Sequence, residues 1–136
     1  MSQATIRAAF ETRLKTWADV QVPPIPVAFE NVAFTPTSGP YLRIFILPAT
    51  TTSETMDTVH RGYKGVVQVT IVVDLNAGSQ KAQQIAQALD SLFPMPGFNY
   101  SGLRINMTSP MSLRNAQSED DRYAYPVSGN YRVDIV

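Results

Sequence analysis

The chain has 136 residues, and its eleven Lys and Arg residues balance eleven Asp and Glu residues, so its formal charge is zero. This length is typical of a single domain with one core, and a hydrophobic share of 44% excludes a disordered chain. The absence of cysteine excludes disulfides and cysteine-bearing zinc sites, and a single histidine, His60, excludes metal sites built from two histidines.

The first predicted element is a helix over residues 3–19. The apolar residues that recur at steps of four, four and three, on one stripe of a helix, are Ile6, Phe10, Leu14 and Trp17. The helix has to end before Pro23 and Pro24, because proline lacks a backbone donor and restricts the residue before it. Since Trp17 closes the apolar stripe, we expect its side chain to be largely buried against a sheet.

The middle of the chain predicts extended segments separated by turns. A short extended segment spans Pro26–Val32, and Tyr41–Leu47 predicts a strand with two distinct faces. The clearest strand is Gly65–Asp74, in which every second residue is a Val or Ile on one face. Between these strands, Ala49–Asp57 is rich in Thr and Ser and has no apolar period, so we predict a mobile loop there.

The last part of the chain predicts a second helix and further strands. The apolar face of this helix comprises Ala82, Ile85, Ala86, Leu89 and Phe93, and Pro94 ends it. Leu103–Met107 and Tyr123–Val127 alternate as strands, and Tyr131–Ile135 alternates to the C-terminus. Between the last two, Gly129 predicts a bulge or a tight turn.

The order of the elements is helix, strands, helix, strands. We therefore predict a single α+β domain over residues 1–136, with one mostly antiparallel sheet of about five strands. Both helices are expected to pack on the same face of that sheet. The sequence shows no internal repeat, no linker and no second domain.

Motifs for catalysis or cofactor binding are absent from the sequence. It contains no GxGxxG, no GxxxxGK[ST] and no GxSxG, so we predict no enzyme activity and no cofactor. His60 lies in a polar run and is more readily explained as a solvated side chain than as part of a triad. The acidic run Glu119–Asp121 lacks the spacing of a calcium loop, and solvated loop charge explains it better than a metal site. No run approaches the ~20 apolar residues of a membrane span, and we expect neither a membrane segment nor a signal peptide.

The residues that alternate with the predicted core are the most informative for function. Those expected to face outward from the sheet are Arg43, Phe45, Leu47, Thr70, Val72 and Arg104. Large apolar groups mixed with arginines are typical of protein interfaces, although loops that cover this face would explain the pattern equally well. Arg61, Tyr63 and Lys64 interleave basic and aromatic groups as in nucleic-acid sites, but the neutral chain counts against that role. The candidate interface residues are Arg43, Phe45, Leu47, Arg61, Tyr63, Lys64, Glu119, Asp120 and Asp121.

Six stretches of the sequence, taken in order, carry a resemblance to a known family. They are AAFETRLKTWA at 8–18, PPIPVAFENVAFTP at 23–36, GPYLR at 39–43, HRGYKGVVQV at 60–69, LDSLFP at 89–94 and YPVSGNYRVD at 125–134. In this order they resemble the tail terminators of long-tailed phages, small phage and prophage tail proteins of the minor tail protein U type. The likeness runs over nearly the whole chain and includes no catalytic motif.

The resemblance implies a structural role and a fold with two helices on one side of a sheet. Such proteins form a ring, typically of six subunits, on the last ring of the tail tube, where they stop polymerisation and meet the head-side connector. The expected partners are further copies of the chain, the tail-tube protein and the head–tail connector, in the host cytoplasm during assembly and then in the virion tail. We expect the ring contacts to pair Arg61 and Lys64 with Glu119–Asp121.

Two other interpretations remain open at this point. The first is a small non-catalytic binding module of a bacterial genome, which would take nucleic acid or a small ligand. The second is an enzyme whose site is assembled without known motifs. A neighbouring tail-tube or tape-measure gene would favour the tail protein over both.

Overall fold

The computed structural model describes residues 3–21, 24–30, 32–34, 39–49, 52–53, 61–74, 80–119 and 122–135. Within these residues the helices are α1 (Gln3–Asp19) and α2 (Gln80–Leu92). The nine strands are β1 (Val27–Ala28), β2 (Tyr41–Pro48), β3 (Thr52–Ser53), β4 (Arg61–Asp74), β5 (Gly97–Tyr100), β6 (Leu103–Met107), β7 (Ser112–Leu113), β8 (Gln117–Glu119) and β9 (Arg122–Ile135). The α+β class predicted from the sequence is confirmed.

All nine strands belong to one sheet, whose main path runs β1-β2-β4-β9-β6-β5. β3 continues β2 along the edge of β4, while β7 and β8 continue β6 along the edge of β9. β1 is parallel to β2, and every other pair of strands is antiparallel. The predicted sheet of about five strands is therefore wrong in number, because short segments without an apolar period still hydrogen-bond to the long strands.

The centre of the sheet is the pair β4 and β9, each of 14 residues. Their register is continuous from Arg61 opposite Ile135 to Asp74 opposite Arg122, and it passes through Gly129 without an extra residue. The predicted bulge or turn at Gly129 is therefore wrong. A Cβ atom at this position would lie 2.9 Å from Met111 Sδ, so the glycine makes room for a core side chain.

The other long strand, β4, extends further than its sequence pattern indicates. The prediction began β4 at Gly65, but the strand begins at Arg61. Gly65 lies inside β4, and glycine is needed there because a Cβ atom would come within 2.5 Å of the Leu47 carbonyl oxygen and 2.8 Å of the Tyr131 hydroxyl. At both glycines, backbone or side-chain atoms of neighbouring segments come so close to the strand that a Cβ atom would not fit, which is a common reason for glycine inside a strand.

Both helices pack on one face of the sheet, as predicted. The fully buried helical side chains include Ile6, Ala9, Phe10, Leu14, Ala18, Ala82 and Leu89, and they meet the buried face of β2, β4 and β9. The Phe10 ring lies at the centre of an aromatic group, with its centroid 5.5 Å from that of Phe93 and 5.2 Å from that of Tyr131. Ring contacts at these distances add to the stabilisation that burial alone gives.

Trp17 is partly buried and packs against the core, so the expectation that it would be largely buried is met in part. The buried stripe of α1 continues from Leu14 to Ala18 rather than to Trp17. Trp17 therefore lies at the flank of the stripe, where it packs against the margin of the core. From Leu14, a step of three residues leads to Trp17 and a step of four leads to Ala18, and both steps stay on the same side of a helix. The position of the sheet decides which of the two residues is fully buried.

The edge of the sheet at β2 is closed by a short strand and one side chain. Leu42 N donates to the Pro26 carbonyl oxygen over 2.9 Å, and Ile46 N donates to Glu30 Oε1 over 2.7 Å. Arg7 Nη1 donates to the same carboxylate oxygen over 2.8 Å, which ties α1 to this edge. Of the described residues in the predicted extended segment Pro26–Val32, Val27–Ala28 form a strand, and further along β2 the Glu30 side chain is the acceptor for Ile46 N.

The Glu30 carboxyl is electrostatically coupled to this edge. Burial raises the pKa of Glu30, but the hydrogen bonds from Arg7 and from Ile46 N, with the Arg7 charge, outweigh it and hold the pKa below its ordinary value. The same contact with Glu30 raises the pKa of the Arg7 guanidinium. Both groups are therefore stabilised in their charged forms.

The segment predicted as a mobile loop, Ala49–Asp57, is in part a strand. Ala49 N donates to the Lys64 carbonyl oxygen over 2.8 Å, and Thr52 and Ser53 pair with Gly62 and Arg61. Backbone pairing at an edge needs no apolar side chain, which is why the sequence pattern missed β3. Residues 50–51 and 54–57 lie outside the described residues.

Candidate functional site

The face of the sheet opposite the helices is here called the outer face. Strand alternation places on it Tyr41, Arg43, Phe45 and Leu47 of β2, Lys64, Val66, Gln68, Thr70 and Val72 of β4, and Ala124, Pro126, Ser128, Asn130 and Arg132 of β9. The residues directly opposite one another across these three strands confirm this arrangement, for example Arg43 opposite Thr70 and Thr70 opposite Pro126. The outer face is therefore a continuous surface made by the three central strands.

One end of the outer face is covered. Tyr41, Val72 and Ala124 form a second, smaller apolar cluster beneath Phe34, whose ring centroid lies 5.0 Å from that of Tyr41. Thr70 and Val72 do point away from the helices as predicted, but both are buried. The cover comes from residues distant in sequence, so strand alternation shows the direction of these side chains and not their exposure.

Next to this cluster, the outer face forms an open groove of about 670 Å³ between β2 and the segment that carries β7 and β8. Half-buried Arg43 and Phe45 lie on one side of the groove, and exposed Arg114 and Gln117 lie on the other. Arg114 is held in place because its backbone N donates to the Pro126 carbonyl oxygen over 2.7 Å and its Nε donates to Ser128 Oγ over 3.0 Å. Among the described residues that line the groove, the charged ones are Arg43 and Arg114, and both are cationic.

Positive charge is concentrated on the outer face as a whole. Among the side chains that the structure describes, the cations on this face are Arg43, Lys64, Arg104, Arg114, Arg122 and Arg132, and the anions are Asp74 and Asp134. Asp74 lies 2.9 Å from Arg122, and Asp134 lies 2.9 Å from Arg132, so each anion is next to a cation. Six cations against two anions leave an excess of four positive charges on one face of a neutral chain.

The helical side of the molecule is electrically balanced. Its described charged side chains are Arg7, Arg13, Lys15 and Lys81 against Glu11, Asp19, Glu30 and Asp90. Several of them form pairs, such as Lys15 Nζ with Asp19 Oδ1 at 2.6 Å and Arg7 with Glu30 at 2.8 Å. The excess positive charge of the outer face is therefore not compensated by the helices.

The structure brings together only some of the residues predicted as an interface. Arg43, Phe45, Leu47 and Lys64 share the outer face, with Leu47 51% exposed. The side chain of Tyr63 lies on the opposite face, half-buried against the core, so it does not share a surface with the side chain of Lys64. The side chains of Arg61 and Glu119, and the whole of His60, Asp120 and Asp121, lie outside the described part of the structure.

Sequence reasoning missed the groove and three cations of the outer face, Arg114, Arg122 and Arg132. Arg132 alternates with buried Tyr131 and Val133, so the strand pattern contained a signal for it. Arg114 lies in an irregular stretch between two short strands, where no period exists. Its position depends on the hydrogen bonds to β9, which no local pattern reports.

The described residues offer no metal site and no membrane helix. No cluster of three or more His, Cys, Asp or Glu residues is placed among them to hold a metal ion. Neither of their two helices is long and apolar enough to cross a membrane. The described outer face carries arginine and lysine side chains beside apolar groups such as Phe45 and Leu47.

Comparisons with known proteins show which family the chain belongs to. A family model described as "Phage tail terminator protein" matches residues 5–131. The chain belongs to this family. The chain is also similar to a solved structure, with 41% sequence identity and a TM-score of 0.82. The alignment covers 98% of this chain and 96% of the chain in that structure. No curated protein matches the chain.

Membership confirms the resemblance that the sequence shows. The chain is a structural component of a phage tail, and the family is typically non-catalytic. The groove and the cations of the outer face are thus candidates for contacts between tail components.

Proposed function

We propose that this tail terminator forms a closed ring on the last ring of the tail tube, ends tube polymerisation there and offers a surface to the head–tail connector. The observation that carries the proposal is the family match over residues 5–131. A ring of six copies, as the resemblance implies, needs two different surfaces on each copy that complement each other. The protein is then assembled in the host cytoplasm and retained in the virion tail.

The charge distribution supports a ring built from unlike surfaces. The outer face carries an excess of four positive charges, although the whole chain is neutral. Copies that met through the same basic face would repel each other, whereas contact with a different and acidic surface would be favourable. A neutral subunit also adds little long-range repulsion as copies accumulate on the tube end.

Deletion of the gene from the phage or prophage tests the capping role directly. Without the terminator we expect tail tubes that grow past their normal length and do not join heads, as seen by electron microscopy of induced lysates. Re-supply of the wild-type chain from a plasmid serves as the control and should restore normal length. Tubes of normal length in the deletion strain would contradict the proposal.

The alternative of a nucleic-acid module has one observation in its favour, the basic outer face. It predicts salt-sensitive binding of double-stranded DNA by the purified chain. Measurement of that binding by fluorescence anisotropy distinguishes it from the tail-capping role, which requires protein partners and no DNA.

A further inference from the structure

We propose that β5, at one end of the sheet, binds an extended acidic segment of the tail-tube protein, which adds to the sheet as a further strand. The inference rests on the proposed function, because that function makes the tail-tube subunit a neighbour of this chain. It assigns their contact to the edge of β5 and to an apolar groove beside it.

The edge of β5 carries backbone groups that β6 leaves unpaired. β5 is the last strand on the main path of the sheet, and β6 is its described partner. Met107 N donates to the Pro96 carbonyl oxygen over 3.0 Å, and bonded and non-bonded residue pairs alternate along an antiparallel ladder. Asn99 and Arg104 are therefore a non-bonded pair, and the N–H and C=O of Asn99 point away from β6. No backbone hydrogen bond of the described residues takes up these two groups.

The opposite edge of the sheet is protected. Leu42 N donates to the Pro26 carbonyl oxygen over 2.9 Å. Further along β2, Ile46 N donates to Glu30 Oε1 over 2.7 Å, and Pro48 at the end of the strand has no N–H. Proteins usually blunt the edges of their sheets, since an open edge is a template for another strand. Of the two described ends of this sheet, β5 is thus the one suited to strand addition.

A groove of about 450 Å³, here called the edge groove, runs between α1 and β5. Its lining includes the consecutive residues Phe98–Tyr100. Because side chains alternate between the two faces of a strand, a groove that touches all three residues follows the edge of β5. Half-buried Trp17 and Val20, which is 69% exposed, line the other side. An added strand would place an apolar side chain in the edge groove and bury these groups.

Two cations flank the edge of β5, one on each face of the sheet. Arg13 lines the edge groove, where its Nε donates to the Leu92 carbonyl oxygen and its Cζ lies 4.6 Å from the centroid of the Phe98 ring. Exposed Arg104 lies on the outer face, with its Nη1 3.4 Å from Asn99 Oδ1. Neither arginine forms an ion pair with a described carboxylate. Acidic side chains on an added strand would therefore meet a cation on either face.

The described strands of the chain do not themselves offer such an acidic segment. Their acidic side chains are Asp74 and Asp134, which belong to β4 and β9. Both strands lie inside the sheet with neighbouring strands on either side, so a second copy would have to break its own sheet to donate one of them. The occupant is therefore assigned to another protein, the tail-tube subunit that the ring meets in the proposed function.

Three variants, each with a matched control, test the contact. N99P removes the outward N–H, and its control N99A keeps it. R13E reverses the charge in the edge groove, and K81E makes the same change at an exposed position of α2 outside it. V20S shortens an exposed apolar side chain of the groove, and V32S does so at a position that is 60% exposed and outside it. We expect each of the three variants to raise the Kd for the tail-tube protein about three- to tenfold, and the controls to bind as the wild type does.

The Kd is measured by isothermal titration calorimetry with purified, unpolymerised tail-tube protein. Trp17 is the single tryptophan of the chain, so 5-fluorotryptophan gives one ¹⁹F resonance in the edge groove, which we expect to shift on binding. Overlapping peptides that tile the tail-tube protein then locate the segment. We expect the binding peptide to carry Asp or Glu beside apolar residues, and to bind more weakly when these acids are replaced by Asn or Gln. If circular dichroism shows that N99P is unfolded, R13E and V20S provide the test.

The outcomes separate the inference from the proposed function. Wild-type affinity in the folded variants, an equal loss in the controls, or a Trp17 resonance that does not shift at saturation would overturn the inference and leave the capping role standing. Loss of self-association with unchanged binding of the tail-tube protein would overturn it in favour of a contact between copies. A wild-type chain that does not bind the tail-tube protein would also overturn the inference, whereas the capping role is overturned by tubes of normal length in the deletion strain.

Discussion

At the scale of single residues, Glu30 illustrates how one side chain closes a sheet edge. Its Oε1 accepts hydrogen bonds from Ile46 N over 2.7 Å and from Arg7 Nη1 over 2.8 Å. An edge strand with unpaired amides invites pairing with other chains, and a charged side chain across it is one way to prevent this. For the ring proposed above, which forms only on the tube end, such protection of β2 is an advantage.

The pKa of Glu30 predicts how its contribution depends on pH. Because the folded-state pKa is lowered, the stabilisation is present above the unfolded-state pKa and is lost as pH falls through the folded-state pKa. We expect E30Q, which keeps an acceptor for Ile46, to lose about 1 kcal/mol of unfolding free energy at pH 7, since both partners are about a third exposed. The difference from the wild type should shrink in urea titrations towards pH 3. A constant difference at both pH values would contradict the assignment, and E11Q is the control, because Glu11 lies 3.6 Å from Arg7.

The two glycines inside the long strands predict an order of destabilisation. A Cβ atom at Gly65 would meet the Leu47 carbonyl oxygen at 2.5 Å, whereas at Gly129 it would meet Met111 Sδ at 2.9 Å. Backbone cannot move aside as easily as the end of a methionine, so G65A should cost more unfolding free energy than G129A. We expect about 1–3 kcal/mol for G129A and a larger loss for G65A in urea titrations. The reverse order would show that the register of the strands differs from the one described.

At the scale of elements, α1 binds the sheet through a stripe that excludes Trp17. Phe10 is fully buried and Trp17 is half-buried. We expect F10A to cost about 3–5 kcal/mol and W17A about 1–2 kcal/mol, as measured by thermal or urea unfolding. L14A, at another fully buried position of α1, serves as a positive control. Equal losses for F10A and W17A would contradict the packing of α1.

The short strand β3 predicts a local difference in stability. Of the described residues of this segment, Thr52 and Ser53 pair with β4, and a strand of two residues opens by breaking few hydrogen bonds. We expect their amides to exchange faster than those of Val67–Ile71 in the isolated subunit, and to slow when the ring or its partner forms. Hydrogen exchange followed by mass spectrometry measures both states. Exchange in the isolated subunit as slow as that of Val67–Ile71 would contradict a segment that becomes ordered on assembly.

The elements also show where sequence patterns succeed. The helix predicted over residues 3–19 matches Gln3–Asp19, and the strand predicted at Tyr41–Leu47 matches β2 to within one residue. Both have a clear apolar period and are bounded by proline or turn residues. β3, β7 and β8 have no such period, because they are two or three residues long and are held by backbone pairing with a longer strand.

At the scale of the whole molecule, the separation of charge predicts how assembly depends on salt. The ring proposed above brings the basic outer face of one copy against an unlike surface of another, so its contacts are in part electrostatic. The Debye length falls from about 10 Å at 0.1 M salt to about 3 Å at 1 M, so ring formation should weaken over this range. Sedimentation velocity at the two salt concentrations measures this, with thermal unfolding as a control for the fold. Rings that become more stable with salt would indicate an interface dominated by apolar contacts.

The sequence by itself determined the class of the fold, the two helices and the direction of most strand side chains. These follow from periods of 3.6 and 2 residues, which depend only on neighbours along the chain. The resemblance of the six stretches likewise indicated the family, which the comparison with known proteins confirmed.

Only the tertiary structure decided which of the outward side chains are exposed and which charges share a surface. Thr70 and Val72 point outward but are buried: Phe34 packs against the cluster that includes Val72, and Thr70 lines the groove. The groove joins Arg43 of β2 to Arg114, which lies more than seventy positions further along the chain. Their proximity depends on how β2, β4 and β9 pair and on how the irregular segment hydrogen-bonds to β9. Such long-range pairing has no local period, and so the basic groove became visible only in the folded chain.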